Sequence, residues 1–448
     1  MKITELKKGA RVHLIGICGT AMASLAGLLQ ELGYKVTGSE ATPYPPMSTQ
    51  VEQLGIQISK PYAAKNLDPQ PDFVVVGNVI PAINPEAQEM VRLNIPYTSL
   101  PQAMGDVIIA NRESIVVTGT HGKTTTTSLM AWVTTELSLK PGFLIGGIAK
   151  NFSKSFQVPQ GNYFVIEGDE YDTAYFDKVP KFLHYKPKHV LLTSIEFDHA
   201  DIYKDLDAVK SAFLKLMELI PKNGTLIYCC EDPTVEGVAQ TCRAIRKLSY
   251  GISRGDYRAQ IISTNEKSTQ FRVSHGHTLV GEFETILSGE YNILNCTAVI
   301  ALAHSLNWDL QKTKQAIASF EGVKRRQEVL GEPKGVLVIE DFAHHPTAVR
   351  ETLKGIKDKY KGRKVFAIFE PRSATSRRKV FQKDYVEAFQ QADEVLIMQA
   401  FDQSKIDETQ RFSSEELATD IRKAGKPAKS YPAVSVISTM KVESPSDN

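Results

Sequence analysis

The sequence predicts an α/β protein built from three units of largely parallel sheet, the middle one carrying an antiparallel insertion. Three observations predict it. The chain has 448 residues, and at roughly 150 residues per domain that length suits about three cores. Short β-branched runs alternate with helical patterns, the pattern of parallel strands joined by crossover helices. The rhythm also restarts twice, after the polar break Asn111–Glu113 and after the connector Gly322–Gly335, whose Val323-Lys324-Arg325-Arg326 is basic. The expected units are therefore 1–110, 111–322 and 323–448.

Strands are expected at Arg11–Ile15, Tyr34–Thr37 and Phe73–Val76 in the first unit. In the second they fall at Ser114–Val117, Tyr163–Ile166, His189–Thr193 and Thr225–Tyr228, and in the third at Gly335–Ile339, Lys364–Phe369 and Glu394–Met398. Residues Arg258–Leu287 alternate polar and apolar, with Gly276 and Gly281 among them, and read as the antiparallel insertion. Lys7, Lys8 and Arg11 before the apolar run Leu14–Leu29 imitate a secretory leader. Strand-forming residues precede the small ones, however, and the run leads into a second strand, which argues against that reading. No stretch reaches the roughly 18 apolar residues a bilayer span needs.

Composition excludes several classes. Lys plus Arg total 53 and Asp plus Glu 51, a net charge of +2, so no global field invites nucleic acid or an anionic membrane. Any polyanion must be met by a local cradle. The five cysteines at 18, 229, 230, 242 and 296 have neither zinc spacing nor an even count, which fits a reducing cytoplasm.

The strongest motif is Ser114-Ile-Val-Val-Thr-Gly119-Thr120-His121-Gly122-Lys123-Thr124-Thr125, entering a helix expected over Thr126–Leu137. A buried strand, a glycine turn and Lys-Thr at a helix start make a phosphate cradle. Backbone N–H groups meet the phosphates, Lys123 adds a point charge, and a threonine hydroxyl reaches the metal. Val117 stands where the strict pattern has its first glycine, so the loop is a modified one. The middle unit is thus P-loop ATPase-like.

Glu167-Gly-Asp169-Glu170-Tyr-Asp172 and Glu196-Phe-Asp198-His199-Ala-Asp201 each follow a strand, where α/β sheets place ligands. Each alone also reads as a solvated loop, and magnesium's preference for oxygen makes a histidine ligand unusual. Gly16-Ile-Cys-Gly19-Thr20-Ala21 is a degenerate dinucleotide fingerprint that marks the first unit as Rossmann-like and able to hold a pyrophosphate. In the third unit, also Rossmann-like, Asp341-Phe-Ala-His344-His345-Pro opens a helix and Glu370-Pro-Arg372-Ser373 follows a strand, suggesting an anion-facing surface. Individually these residues serve equally well as caps or solvated charges.

Taken together, Gly119–Thr125, Glu167–Glu170, Asp198-His199, Gly289-Glu-Tyr-Asn-Ile-Leu-Asn295 and Asp341–Thr347 resemble the Mur ligase family, from about residue 11 to about residue 400. The resemblance implies ATP as co-substrate, Mg2+, and activation of a carboxylate as an acyl phosphate that an amine then attacks. Gly119, Thr120, His121, Gly122, Lys123, Thr124 and Thr125 would hold the ATP phosphates, and Asn295 would contact adenine. Asp341 and His344 would close over the nucleotide. Thr124, Glu167 and His199 would bind metal, with Lys123, His199 and His344 catalytic. Gly16, Gly19, Thr20 and Ser39 would serve the UDP group, and Arg372 and Ser373 would face the incoming peptide.

Tyr44–Ser48, Glu170–Lys178, Phe342-Ala-His-His-Pro and Glu370–Ser373 are similar to family members that join the tripeptide L-alanyl-γ-D-glutamyl-meso-diaminopimelate to UDP-N-acetylmuramate in peptidoglycan recycling. Addition of free L-alanine is the alternative within the family. Glu40 and Ser194 depart from the family's Asp and Asn, and its closing strand and glycine-rich loop have no match before the polar end Lys441–Asn448. The third unit is accordingly expected to be incomplete or divergent. A nicotinamide oxidoreductase would leave the phosphate loop unexplained. A GTPase would need D-x-x-G and a guanine-reading N-K-x-D, which the sequence lacks. Oligomeric state and the base that accepts the amine proton are not legible.

Overall fold

The computed structural model describes residues 1–45 and 47–432. Pro46 of the Tyr44–Ser48 motif and the polar end of the chain lie outside the described residues.

The first sheet is five-stranded and parallel, in the order Ile58–Ser59, Lys35–Ser39, Arg11–Ile15, Phe73–Val76, Tyr97–Ser99. Phe73–Val76 is buried at every position, as a strand covered on both faces must be. The chain reverses direction across the sheet at Arg11–Ile15. A crevice therefore opens beyond its carboxyl end, beside Gly16. The helix Thr20–Glu31 follows and packs its small residues closely.

The second sheet has ten strands. Seven run parallel, in the order Tyr257–Thr264, Arg246–Gly251, Thr225–Cys229, Pro187–Leu192, Glu113–Thr118, Tyr163–Gly168, Gly142–Leu144. Register aligns the ends of the middle three: Thr118 pairs with Leu192 on one side and Gly168 on the other. The three segments that follow them, at 119–125, 169–172 and 193–201, are thereby placed side by side. The expected insertion is real and antiparallel, formed by Tyr257–Thr264, Thr269–His275 and Thr278–Thr285. It is not a separate layer, because Tyr257 and Arg258 pair with Tyr250 and Gly251 and extend the main sheet.

The third unit holds three parallel strands among the described residues, Phe366–Phe369, Glu394–Met398 and Ala428–Tyr431. The expected strand Gly335–Ile339 is corrected. Residues Pro333–Gly335 form a 3-10 turn, and Val338–Glu340 pairs antiparallel with Glu328–Gly331 instead of joining the parallel sheet. Its residues are exposed or half-buried, so no two-faced burial drove it into a core. No helix of the described residues is long and apolar enough to cross a membrane.

Candidate active site

The phosphate loop is shaped by its glycines. Gly119 has φ +129° and Gly122 φ +80°, conformations that side chains rarely adopt. Space demands glycine too. A Cβ on Gly119 would lie 2.2 Å from Thr193 Oγ1, and one on Gly122 2.7 Å from Asn295 Oδ1. Helix Lys123–Glu136 starts three residues earlier than expected, so Lys123 is its first residue and the free N–H groups of its first turn face the loop.

Lys123 Nζ donates to Gly119 O at 2.6 Å and to Glu170 Oε2 at 3.0 Å. Burial opposes its charge, but Glu170 and Asp169 overcome that and hold the ammonium above its ordinary pKa. Thr124 Oγ1 donates to Glu167 Oε2 at 3.1 Å, and Gly146 N–H donates to Glu167 Oε1 at 2.6 Å. Burial first, then Asp169, pushes the Glu167 carboxyl up. Asp169 is lowered despite burial, because Lys181 (3.1 Å away) and Lys123 stand beside it.

The third segment completes the wall. Ser194 keeps a site-orienting contact, its Oγ accepting from His121 N–H at 3.0 Å. Asp198 Oδ1 accepts from Thr375 Oγ1 at 2.7 Å, and Asp198 Oδ2 lies 3.8 Å from His344 Nε2. Burial opposes its ionisation, yet His344, His199 and Thr375 hold Asp198 well below the carboxylate range. Glu196 is lowered to about 2 by His121, His345 and Thr347, against burial. His345 is lowered to about 4, by burial and then by the nearby His121.

Lys123, Thr124, Glu167, Asp169, Glu196, Asp198 and these four histidines face one cavity of about 1330 Å³ that the three units share. Gly16, Gly19 and Thr20 line its first-unit end, Gly122–Thr125 and Asn295 its middle, and Asp341 and His344 its third-unit side. Asp341 accepts from the N–H groups of Gln327 and Ala343, both at 2.7 Å, which fixes the loop before His344.

Some predicted residues are placed differently. Ser39 is fully buried and its hydroxyl donates to Glu86 Oε2 at 2.5 Å, so it braces the first-unit crevice from behind. His199 Nε2 faces Glu170 Oε1 at 3.6 Å instead of meeting Glu167. Arg372 lies over Phe401 at 4.5 Å, and the Ser373 hydroxyl bonds Ser376 at 2.8 Å; neither is on the cavity wall. Their loop reaches the central unit through Thr375.

Sequence reasoning missed Arg326. From the basic connector it stacks on Phe342 at 4.9 Å and donates to Thr124 Oγ1 at 3.4 Å. It also missed roles for Lys181 and Glu170. Only the run of basic residues in the connector hinted at the first.

Family profiles match in succession along the chain: "Mur ligase family, catalytic domain" over residues 11–112, "Mur ligase middle domain" over 117–303 and "Mur ligase, glutamate ligase domain" over 325–443. The chain belongs to the Mur ligase family and is an ATP-dependent ligase that forms a carbon–nitrogen bond. It is 40% identical over 391 residues to the UDP-N-acetylmuramate–L-alanyl-gamma-D-glutamyl-meso-2,6-diaminoheptandioate ligase of Escherichia coli (strain K12), covering 87% of this chain and 85% of that one. To a UDP-N-acetylmuramate–L-alanine ligase of Clostridium kluyveri it is 33% identical, covering 93% and 89%. Among solved structures, a murein peptide ligase from Psychrobacter arcticus superposes with TM-score 0.73 at 34% identity, covering 96% of this chain and 92% of that one. The UDP-N-acetylmuramate-alanine ligase of Thermotoga maritima gives TM-score 0.80 at 26% identity, covering 97% and 93%.

Proposed function

We propose that the protein joins the free α-amine of L-alanyl-γ-D-glutamyl-meso-diaminopimelate to the carboxylate of UDP-N-acetylmuramate, with ATP as the activating co-substrate, in peptidoglycan recycling. The observation that carries this reading is one cavity lined at one end by Gly16, Gly19 and Thr20 and at its centre by the Lys123 loop. The higher identity to the tripeptide-adding relative, 40% against 33%, favours peptide over L-alanine. We assign the UDP-sugar to residues 1–110, ATP to 111–322 and the incoming peptide to 323–448.

The chemistry follows from the charges. Gly119 to Thr125 bind the ATP phosphates, and Lys123 exchanges its Glu170 partner for the transferring phosphoryl group. The residues fit magnesium: the Thr124 hydroxyl and Glu167 carboxylate meet at 3.1 Å and are the hard oxygen donors that ion requires, with His199 across the cavity. Magnesium would supply the positive charge that lets phosphate oxygens approach the substrate carboxylate. Attack of that carboxylate on the γ-phosphorus breaks its bond to ADP, which leaves, and gives an acyl phosphate; the neutral amine then adds to the acyl carbon, phosphate leaves and a proton is released to water. Asp341 and His344 close the third unit over the nucleotide, with Asn295 beside adenine, excluding the water that would hydrolyse the acyl phosphate.

The test is ADP release with product mass. ADP should form only when UDP-N-acetylmuramate and tripeptide are both present, with a product of the summed mass less water. ADP release at the same rate without the UDP-sugar would overturn the reading.

A further inference from the structure

Three side chains that the ligase chemistry leaves without a joint task converge where the phosphate loop meets the third unit. His121 lies in the loop, Glu196 follows the strand Pro187–Leu192, and His345 caps the helix Pro346–Lys359. Glu196 Oε2 stands 3.4 Å from His121 Nε2 and 3.4 Å from His345 Nδ1, and all three atoms fall within 4.8 Å of one another. Those contacts are long for charge-assisted hydrogen bonds, which close to about 2.7–2.9 Å. They match a different geometry. Ligands about 2.0–2.1 Å from a tetrahedral zinc ion stand roughly 3.3–3.4 Å apart. The remaining edge closes by rotation of His121, whose side chain is 24% exposed.

The surrounding groups orient this set. His345 Nε2–H donates to Phe197 O at 3.2 Å, which leaves Nδ1 as the lone-pair nitrogen; it accepts the capping N–H of Thr347 at 3.3 Å and stands 3.4 Å from Glu196 Oε2, so an ion would take it in exchange for that long capping bond. Thr347 Oγ1 donates at 2.8 Å to the same carboxylate oxygen. A histidine fixed by a backbone carbonyl and a carboxylate fixed by a hydroxyl are the outer partners that metal ligands commonly have. Two imidazoles and one carboxylate suit zinc-type ions and disfavour magnesium.

We propose that His121, Glu196 and His345 form a three-ligand site for a zinc-type divalent cation, with water from the cavity as the fourth ligand. Because His121 belongs to the phosphate loop and His345 to the third unit, the bound ion ties the two together and opposes the opening that product release requires. The binding claim stands apart from the ligase reading; the inhibitory consequence rests on it.

Co2+ alone, titrated into the full-length chain without nucleotide, tests the site by its visible spectrum. One equivalent should give the intense bands of a four-coordinate ion, and Zn2+ should displace them. Thr347→Val should weaken Co2+ binding about 10–100-fold. His121→Ala should weaken it more than about 100-fold, as should His345→Gln, with circular dichroism confirming that each variant is folded. His121 is partly exposed, so its variant keeps the test valid if loss of the His345 cap unfolds the helix. Only the weak spectrum of a six-coordinate ion, or unchanged affinity in folded His121→Ala, would overturn the proposal. In the ligase assay, stoichiometric Zn2+ should lower kcat of the natural protein; full turnover with zinc bound would refute the clamp while leaving the site.

Discussion

Lys123 shows what a single side chain contributes here. It is held by Gly119 O and Glu170, so in the proposed mechanism its charge is positioned in advance and would only change partner. Lys123→Ala should lower turnover by at least about 10²–10³-fold, the scale of losing one positioned electrostatic group. UDP-sugar binding, read by calorimetry, should stay close to that of the natural protein. Unchanged turnover would reject the role. The cysteines make a second residue-scale prediction. All five are buried, with Cys18 pushed up to about 11 and Cys229 and Cys296 to about 12, chiefly by burial. At neutral pH a thiol reagent should label the native protein slowly and the denatured protein rapidly at five positions; rapid native labelling would contradict the burial. That Lys123, Thr124 and Glu167 lie close together was legible in the sequence, because short motifs at strand ends mark them. Arg326 was not, since its partner Thr124 is 202 positions away and nothing local distinguishes it from a solvated arginine. Ser39 misled for the converse reason. The family resemblance suggested a ligand for it, while Glu86, 47 positions on, takes its hydroxyl.

At the scale of elements, strand ends decide the site. The parallel strands with continuous apolar runs were readable because two-faced burial demands such runs, and Arg11–Ile15, Phe73–Val76 and Glu394–Met398 fall where the pattern put them. Short or edge strands such as Gly142–Leu144 and Glu328–Gly331 carry too few residues to show a period, and pairing alone makes them strands. The turn Gly119–Gly122 is the element on which catalysis would depend in the proposed mechanism. Gly122→Ala would place a methyl against Asn295 at φ +80°, costing about 1–3 kcal/mol of backbone strain. It should displace the loop and lower ATP affinity in a nucleotide titration more than it lowers the unfolding midpoint. The helix Leu206–Leu219 offers a separate check: Asp205 caps it by accepting from Ala208 N–H at 2.8 Å. Asp205→Ala should destabilise by about 1 kcal/mol in denaturant unfolding.

For the whole molecule, the units are joined by packing as well as by the shared cavity. Helix Thr20–Glu31 of the first unit meets Phe156 of the second so closely that a Cβ on Gly27 would lie 2.0 Å from Phe156 Cζ. Beside it, the hydroxyls of Ser24 and Ser155 meet at 2.8 Å and Lys154 pairs with Glu31 at 2.8 Å. Helix propensity alone would make Gly27→Ala favourable by about 1 kcal/mol. The clash outweighs it, since overpacking costs typically 1–3 kcal/mol, so the variant should unfold at lower denaturant; a gain in stability would contradict the tight contact. The near-neutral charge of +2 agrees with the proposed arrangement, in which the phosphates of two nucleotides would be met inside one cavity and not on a basic surface. The most direct test of the central claim is competition at equal concentrations among L-alanine, the L-alanyl-γ-D-glutamyl dipeptide and the tripeptide, with UDP-N-acetylmuramate and ATP, read as product by mass. The account predicts tripeptide product in clear excess and little from L-alanine; equal or greater product from L-alanine would contradict it.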